Sequence, residues 1–112
     1  SIFTSVKELD TLALFNNNLN AQMLNLLKLA KKTNLDGIVC SPLEVEMANK
    51  ILDTHSIKIT PGIRDISAED DQVRTMSAKD AIKQGASFLV IGRPITMAND
   101  PAEAAYKIFK SL

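Results

Sequence analysis

The chain has 112 residues, 46% of them hydrophobic, and its 13 basic and 13 acidic side chains leave a formal net charge of zero. That length suits one compact domain with a real core. Neutrality removes the electrostatic footprint expected for nucleic acid or an anionic membrane surface, so neither is expected as a partner.

No apolar run approaches the roughly 18–20 residues of a membrane span. Ser1-Ile2-Phe3-Thr4 shows no basic region leading into an apolar stretch, as a secretory signal would. The single cysteine forms no internal disulfide and fits a reducing cytoplasm, which is the expected location. Ile2-Phe3-Thr4-Ser5 reads as the end of a strand, so a cleaved or truncated chain is expected.

In chain order, a polar loop with a turn at Asn16-Asn17-Asn18 leads to a helical pattern from Asn20 to about Lys32. Leu24, Leu27 and Lys31 follow one face of it, Met23, Leu26 and Ala30 widen that face, and Lys28, Lys31 and Lys32 suit its negative end. Asn34 and Gly37 bracket the exit. Gly37-Ile38-Val39-Cys40-Ser41 is a second short strand.

Ser41-Pro42-Leu43-Glu44 then combines a capping serine, a proline at the first helical position and a glutamate that closes a capping box. Leu43, Met47 and Ile51 predict a stripe against a sheet. Ile57-Lys58-Ile59-Thr60 is a third strand with an exit turn at Pro61-Gly62, and the acidic stretch Asp65–Asp71 reads as a mobile loop. Ser77-Ala78-Lys79-Asp80 opens another helix, which Gly85 stops.

Phe88-Leu89-Val90-Ile91 reads as a fourth strand, buried on both faces. It runs into Gly92 and Arg93. A glycine there lets a ligand approach the backbone, and the guanidinium beside it suits a phosphate. Asp100-Pro101-Ala102-Glu103 starts the last helix, whose buried face is expected to hold Ala104, Ala105, Ile108, Phe109 and Leu112.

Strands alternating with helices imply an α/β fold of parallel βα repeats, four strands and four helices in one segment over residues 1–112. Four such units make a small open sheet or half of a (β/α)8 barrel. Either way, ligands belong at the carboxyl ends of the strands, where Thr4, Ser41, Arg64 and Arg93 lie.

Four segments carry a resemblance. They are Asp36-Gly37-Ile38-Val39-Cys40-Ser41-Pro42-Leu43-Glu44, Thr60-Pro61-Gly62-Ile63-Arg64, Asp70-Asp71-Gln72-Val73-Arg74 and Ile91-Gly92-Arg93-Pro94-Ile95-Thr96. In order and spacing they resemble bacterial orotidine 5′-monophosphate decarboxylase. The resemblance implies the second half of a (β/α)8 barrel, strands five to eight, in a protein that is usually a homodimer. It implies a lyase that converts orotidine monophosphate to uridine monophosphate and CO2 in pyrimidine synthesis, with no metal or organic cofactor.

Carried over residue by residue, it implies that Gly92 and Arg93 hold the substrate phosphate and that Gln72 reaches over it. Arg64 stands at the base of that loop, Thr4 contacts the pyrimidine, and Pro61 packs near the ring. The family's catalytic Asp-x-Lys-x-x-Asp segment does not occur here, and Lys58 stands near the start of its strand, away from the mouth. By itself the chain is therefore expected to be inactive, with the amino-terminal half of the barrel as its missing partner. The alternatives are a non-catalytic phosphate-binding half barrel and a related sugar-phosphate decarboxylase or aldolase. Cys40 reads as a buried inert thiol, and His55 precedes a strand and is given no role.

Overall fold

A computed structural model describes residues 18–64 and 76–112. The expected first strand at Ile2–Ser5 and the loop at Asp65–Asp71 lie outside the described residues. The described elements are α1 (Leu19–Lys32), β1 (Gly37–Val39), a 3-10 turn (Pro42–Glu44), α2 (Val45–Ile51) and β2 (Ile57–Thr60). They continue with α3 (Ala78–Lys83), β3 (Phe88–Leu89), α4 (Arg93–Thr96) and α5 (Pro101–Ser111).

The three described strands form one parallel sheet in the order β1-β2-β3. Its register pairs Val39 with Ile59 and Ile59 with Phe88. Parallel neighbours require a helical crossover, and α2 and α3 supply the two crossovers.

Local chemistry accounts for the helix ends. The Asn18 side chain accepts from the Ala21 backbone N–H at 2.8 Å and caps α1. Lys31 and Lys32 close its last turn, and Asn34 leaves it at a φ of 53°. Ser77 caps α3 by accepting from Asp80 N–H at 3.2 Å. Asp100 caps α5 by accepting from Glu103 N–H at 2.9 Å.

The box after β1 forms through its glutamate. Glu44 Oε2 accepts from the Ser41 backbone N–H at 3.0 Å, and both residues are buried. Gly85 takes the φ of +101° that ends α3 in the left-handed region.

The core lies on one side of the sheet. Cys40, Val45, Ile63, Ala78, Ala81 and Ala86 form one cluster, against which Ile38, Leu89, Ile91 and Ile108 pack. Leu27, Ala30, Ala48 and Leu52 form a second, between α1 and α2. Small residues at Ala48, Ala78 and Ala81 let the helices approach the strands closely.

Three expectations need correction. The last strand is not buried on both faces: Leu89 and Ile91 meet the core, but Phe88 is 60% exposed and Val90 52%. By alternation and register, Val39, Ile57 and Ile59 share that open side. Phe109 and Leu112 of α5 are exposed, because among the described elements only α4 and α3 contact it to any extent. The stripe on α2 is shifted: Leu43 falls in the 3-10 turn and is half exposed, while Val45 and Ala48 are the buried positions. A 3-10 turn rotates the following helix away from the phase a continuous α-helix would give.

Candidate functional site

β2 and β3 end side by side, and their carboxyl ends deliver the candidate residues to one place. Thr60, the last residue of β2, pairs with Leu89 of β3. One step further, Val90 N–H donates to the Thr60 carbonyl at 3.0 Å, setting the two exit loops next to each other. Gly62 adopts a φ of +80°, a left-handed turn that a side chain would strain, and this folds Pro61–Arg64 back across the mouth.

The loop is fixed from the other side by Met76. Arg64 N–H donates to the Met76 carbonyl at 3.0 Å, and Ile63 bridges Met76 in parallel fashion. Arg64 is thereby held at 8% exposure.

After β3 the chain turns at once into α4, with Gly92 at its cap and Arg93 and Pro94 in its first turn. This helical turn was not expected from the sequence. Proline at the second helical position loses no bond, because its N–H would lack a partner there in any case. The Gly92 carbonyl accepts from Ile95 N–H at 2.9 Å and from Thr96 N–H at 3.0 Å. A Cβ added to Gly92 would meet no atom within 4 Å, so the space beside it is open.

A cavity of about 230 Å³ lies between the two exits, lined by Pro61, Gly62, Ile63, Arg64, Val90, Gly92, Arg93 and Pro94. The structure thus brings together Arg64, Gly92 and Arg93, with Pro61, at the carboxyl ends of adjacent parallel strands. Thr4 and Gln72 lie outside the described residues. Val90 and Pro94 are lining residues the sequence reading did not single out. Val90 was hidden because a continuous apolar run does not reveal which of its residues line a cavity.

Arg64, Gly92 and Arg93 thus line one cavity, and guanidinium groups beside an open glycine are chemically suited to an anion. A larger cavity of about 310 Å³ lies on the helical side between α3 and α5; it shares Ile63, Arg64 and Pro94 but not Gly92 or Arg93.

Among the described residues no group of three or more His, Cys, Asp or Glu side chains could hold a metal ion, and no helix is long and apolar enough to cross a membrane. Burial pushes the Cys40 thiol up to about 11, and the Glu44 carboxylate adds to the effect. It is a protonated core residue at neutral pH. His55 is exposed in the turn before β2, at the opposite end of the sheet from the cavity.

Comparison with known proteins agrees with the parallel βα fold. The chain is 44% identical over 108 residues to orotidine 5′-phosphate decarboxylase from Maridesulfovibrio salexigens, covering 96% of this chain and 47% of that protein. It is 43% identical over 114 residues to the enzyme of the same name from Actinobacillus succinogenes, covering all of this chain and 49% of the relative. Among solved structures, orotidine 5′-phosphate decarboxylase from Lactobacillus acidophilus superposes with a TM-score of 0.74 at 38% identity, over 96% of this chain and 45% of that one. The chain thus spans about half the length of the relatives it matches, as the half-barrel reading expects. Residues 2–108 match the family described as "Orotidine 5'-phosphate decarboxylase / HUMPS family", and the chain belongs to it.

Proposed function

We propose that this chain is the phosphate- and base-binding half of an orotidine 5′-phosphate decarboxylase, strands five to eight of its barrel. The observation that supports this best is the convergence of Arg64, Gly92 and Arg93 on one cavity at the strand ends. In this reading Arg93 and the Gly92 backbone grip the phosphate of orotidine monophosphate, Gln72 reaches over it, and Arg64 braces the loop base. Thr4 contacts the pyrimidine. No metal or organic cofactor takes part.

The phosphate does not react, yet its binding energy can serve the reacting centre by stabilising a closed, water-poor transition state. The decarboxylating lysine and aspartates belong to the other half, which supplies the Asp-x-Lys-x-x-Asp segment absent here. The completed barrel works in the cytoplasm as a homodimer, and this chain alone does not turn over.

The test is complementation. The chain is mixed or co-expressed with an amino-terminal half that carries Asp-x-Lys-x-x-Asp, and the conversion of orotidine monophosphate to uridine monophosphate is followed. Activity of the mixture and of neither half alone supports the reading. Turnover by this chain alone, or a pair that binds sugar phosphates in preference to uridine monophosphate, overturns it.

A further inference from the structure

We propose that Pro94 is a positioning residue for Arg93, ordering the turn that presents its guanidinium before a phosphate arrives. The inference rests on the reading of the strand-end cavity as a phosphate seat. It adds a residue that cannot itself donate to an anion from its backbone, because proline carries no N–H.

The turn needs such a device. α1, α3 and α5 each begin with a side chain that caps a backbone N–H, from Asn18, Ser77 and Asp100. α4 begins with Gly92, which has no side chain to do so. The helix runs only from Arg93 to Thr96, and so short a helix is marginal by itself. Backbone bonds close it: the Gly92 carbonyl accepts from Ile95 and Thr96 N–H, and the Arg93 carbonyl from Met97 N–H at 3.0 Å. Pro94 supplies further order. Its ring holds φ near the helical value, and it brings no unpaired donor to the first turn.

The ring also stands against a fixed neighbour. Ile63, Arg64 and Pro94 line both the cavity at the strand ends and the larger one between α3 and α5. They form the wall between the two, with Pro94 contributed by the β3 exit and the others by the β2 exit. The β2 side of that wall is firm. Ile63 is 4% exposed and bridges Met76, and the Arg64 N–H donates to the Met76 carbonyl at 3.0 Å. On its other flank α4 packs on α5. Arg93 is bonded directly to the proline, so the freedom of its backbone depends on how well that ring is held. Binding groups ordered beforehand lose less entropy when the ligand is seated.

Calorimetric titration of the completed barrel with uridine monophosphate and with uridine tests the proposal. The ratio of the two affinities isolates the share that the phosphate contributes. Pro94→Ala should lower that ratio by about two- to fivefold, the worth of the backbone freedom a proline removes. Pro94→Gly should lower it further, because glycine leaves the turn freer still. Affinity for uridine should stay at the parent's value in both. In an Arg93→Ala background, Pro94→Ala should no longer change the ratio.

An unchanged ratio beside a lowered midpoint of chemical unfolding would make Pro94 a merely structural residue and overturns the proposal. Equal losses for both ligands overturn it too, as does a Pro94→Ala effect that persists in full without Arg93. The phosphate reading survives each of these results as long as Arg93→Ala itself lowers the ratio. If it does not, both fall.

Discussion

Asn49 and Gln84 stand 35 positions apart in the chain and are joined by one hydrogen bond: Asn49 Nδ2 donates to the Gln84 carbonyl at 2.7 Å. The carbonyl belongs to the last turn of α3, where backbone acceptors lack helical partners. The same amide lies against Gly85, so an added Cβ there would stand 2.6 Å from Asn49 Nδ2. Through this contact α2 anchors the segment from which β3, and then Gly92 and Arg93, depart.

Asn49→Ala should therefore lower stability by about 1 kcal/mol, the net value of one hydrogen bond. Gly85→Ala should cost more, because it adds a steric clash to a φ of +101°. In the double variant the clash is relieved and the backbone strain is not, so the two costs should sum to more than the pair measured together. Denaturant titration of the four proteins checks this. Strict additivity would mean that the amide and the glycine do not interact.

Arg93→Ala should weaken uridine monophosphate binding by about 1.5–3 kcal/mol, the range for hydrogen bonds to charged groups. Uridine without its phosphate should bind the variant and the parent alike. Arg93→Lys should recover only part of the loss, because an ammonium lacks the planar fork. Calorimetric titration of the completed barrel with both ligands reads the difference. Equal losses for both ligands would remove Arg93 from the phosphate seat.

Gly37→Ala should be among the most damaging small substitutions. The new Cβ would stand 2.4 Å from the Ile57 carbonyl oxygen, a ladder neighbour that cannot rotate away. Overpacking of this kind costs typically 1–3 kcal/mol. A midpoint of chemical unfolding within error of the parent would show that β1 and β2 separate freely.

Cys40 predicts a pH dependence. Its thiol is raised from 9.0 to about 11, with burial the main cause. The folded chain therefore holds this proton more tightly than the unfolded chain does. The associated stabilisation is fully present below pH 9 and is lost as pH rises from 9 to about 11. Cys40→Ala should flatten that part of the stability profile. Aromatic disulfide reagents should modify the thiol at pH 8 only as fast as the chain opens, and immediate stoichiometric labelling of folded protein would contradict the burial.

Local chemistry was legible wherever a cap or a turn is written in a few neighbouring residues. Ser77, Gly85 and Asp100 act where a capping side chain or a left-handed glycine was expected, because such groups reach only three or four positions along the chain, whereas Asn18, read as part of a turn, is the cap of α1. The βα alternation likewise dictated parallel strands with helical crossovers. The nearness of Arg64 to Gly92 and Arg93 was inferable only as a rule about strand ends. What positions them, the Thr60–Val90 hydrogen bond and the Met76 clamp on Arg64, joins residues far apart in sequence.

Burial was the least legible property. Phe88 and Val90 have the composition of a doubly covered strand, and Phe109 and Leu112 the spacing of a buried helix face, yet all four are exposed. Hydrophobicity states what a side chain would gain from cover; whether cover exists depends on which other surfaces are present. The sequence by itself determined the caps at Ser77 and Asp100, the stop at Gly85 and the parallel βα order, because each is written in short-range patterns. Only the tertiary structure decided that Phe88 and Val90 stand exposed while Leu89 and Ile91 meet the core, because that depends on what packs around each side chain.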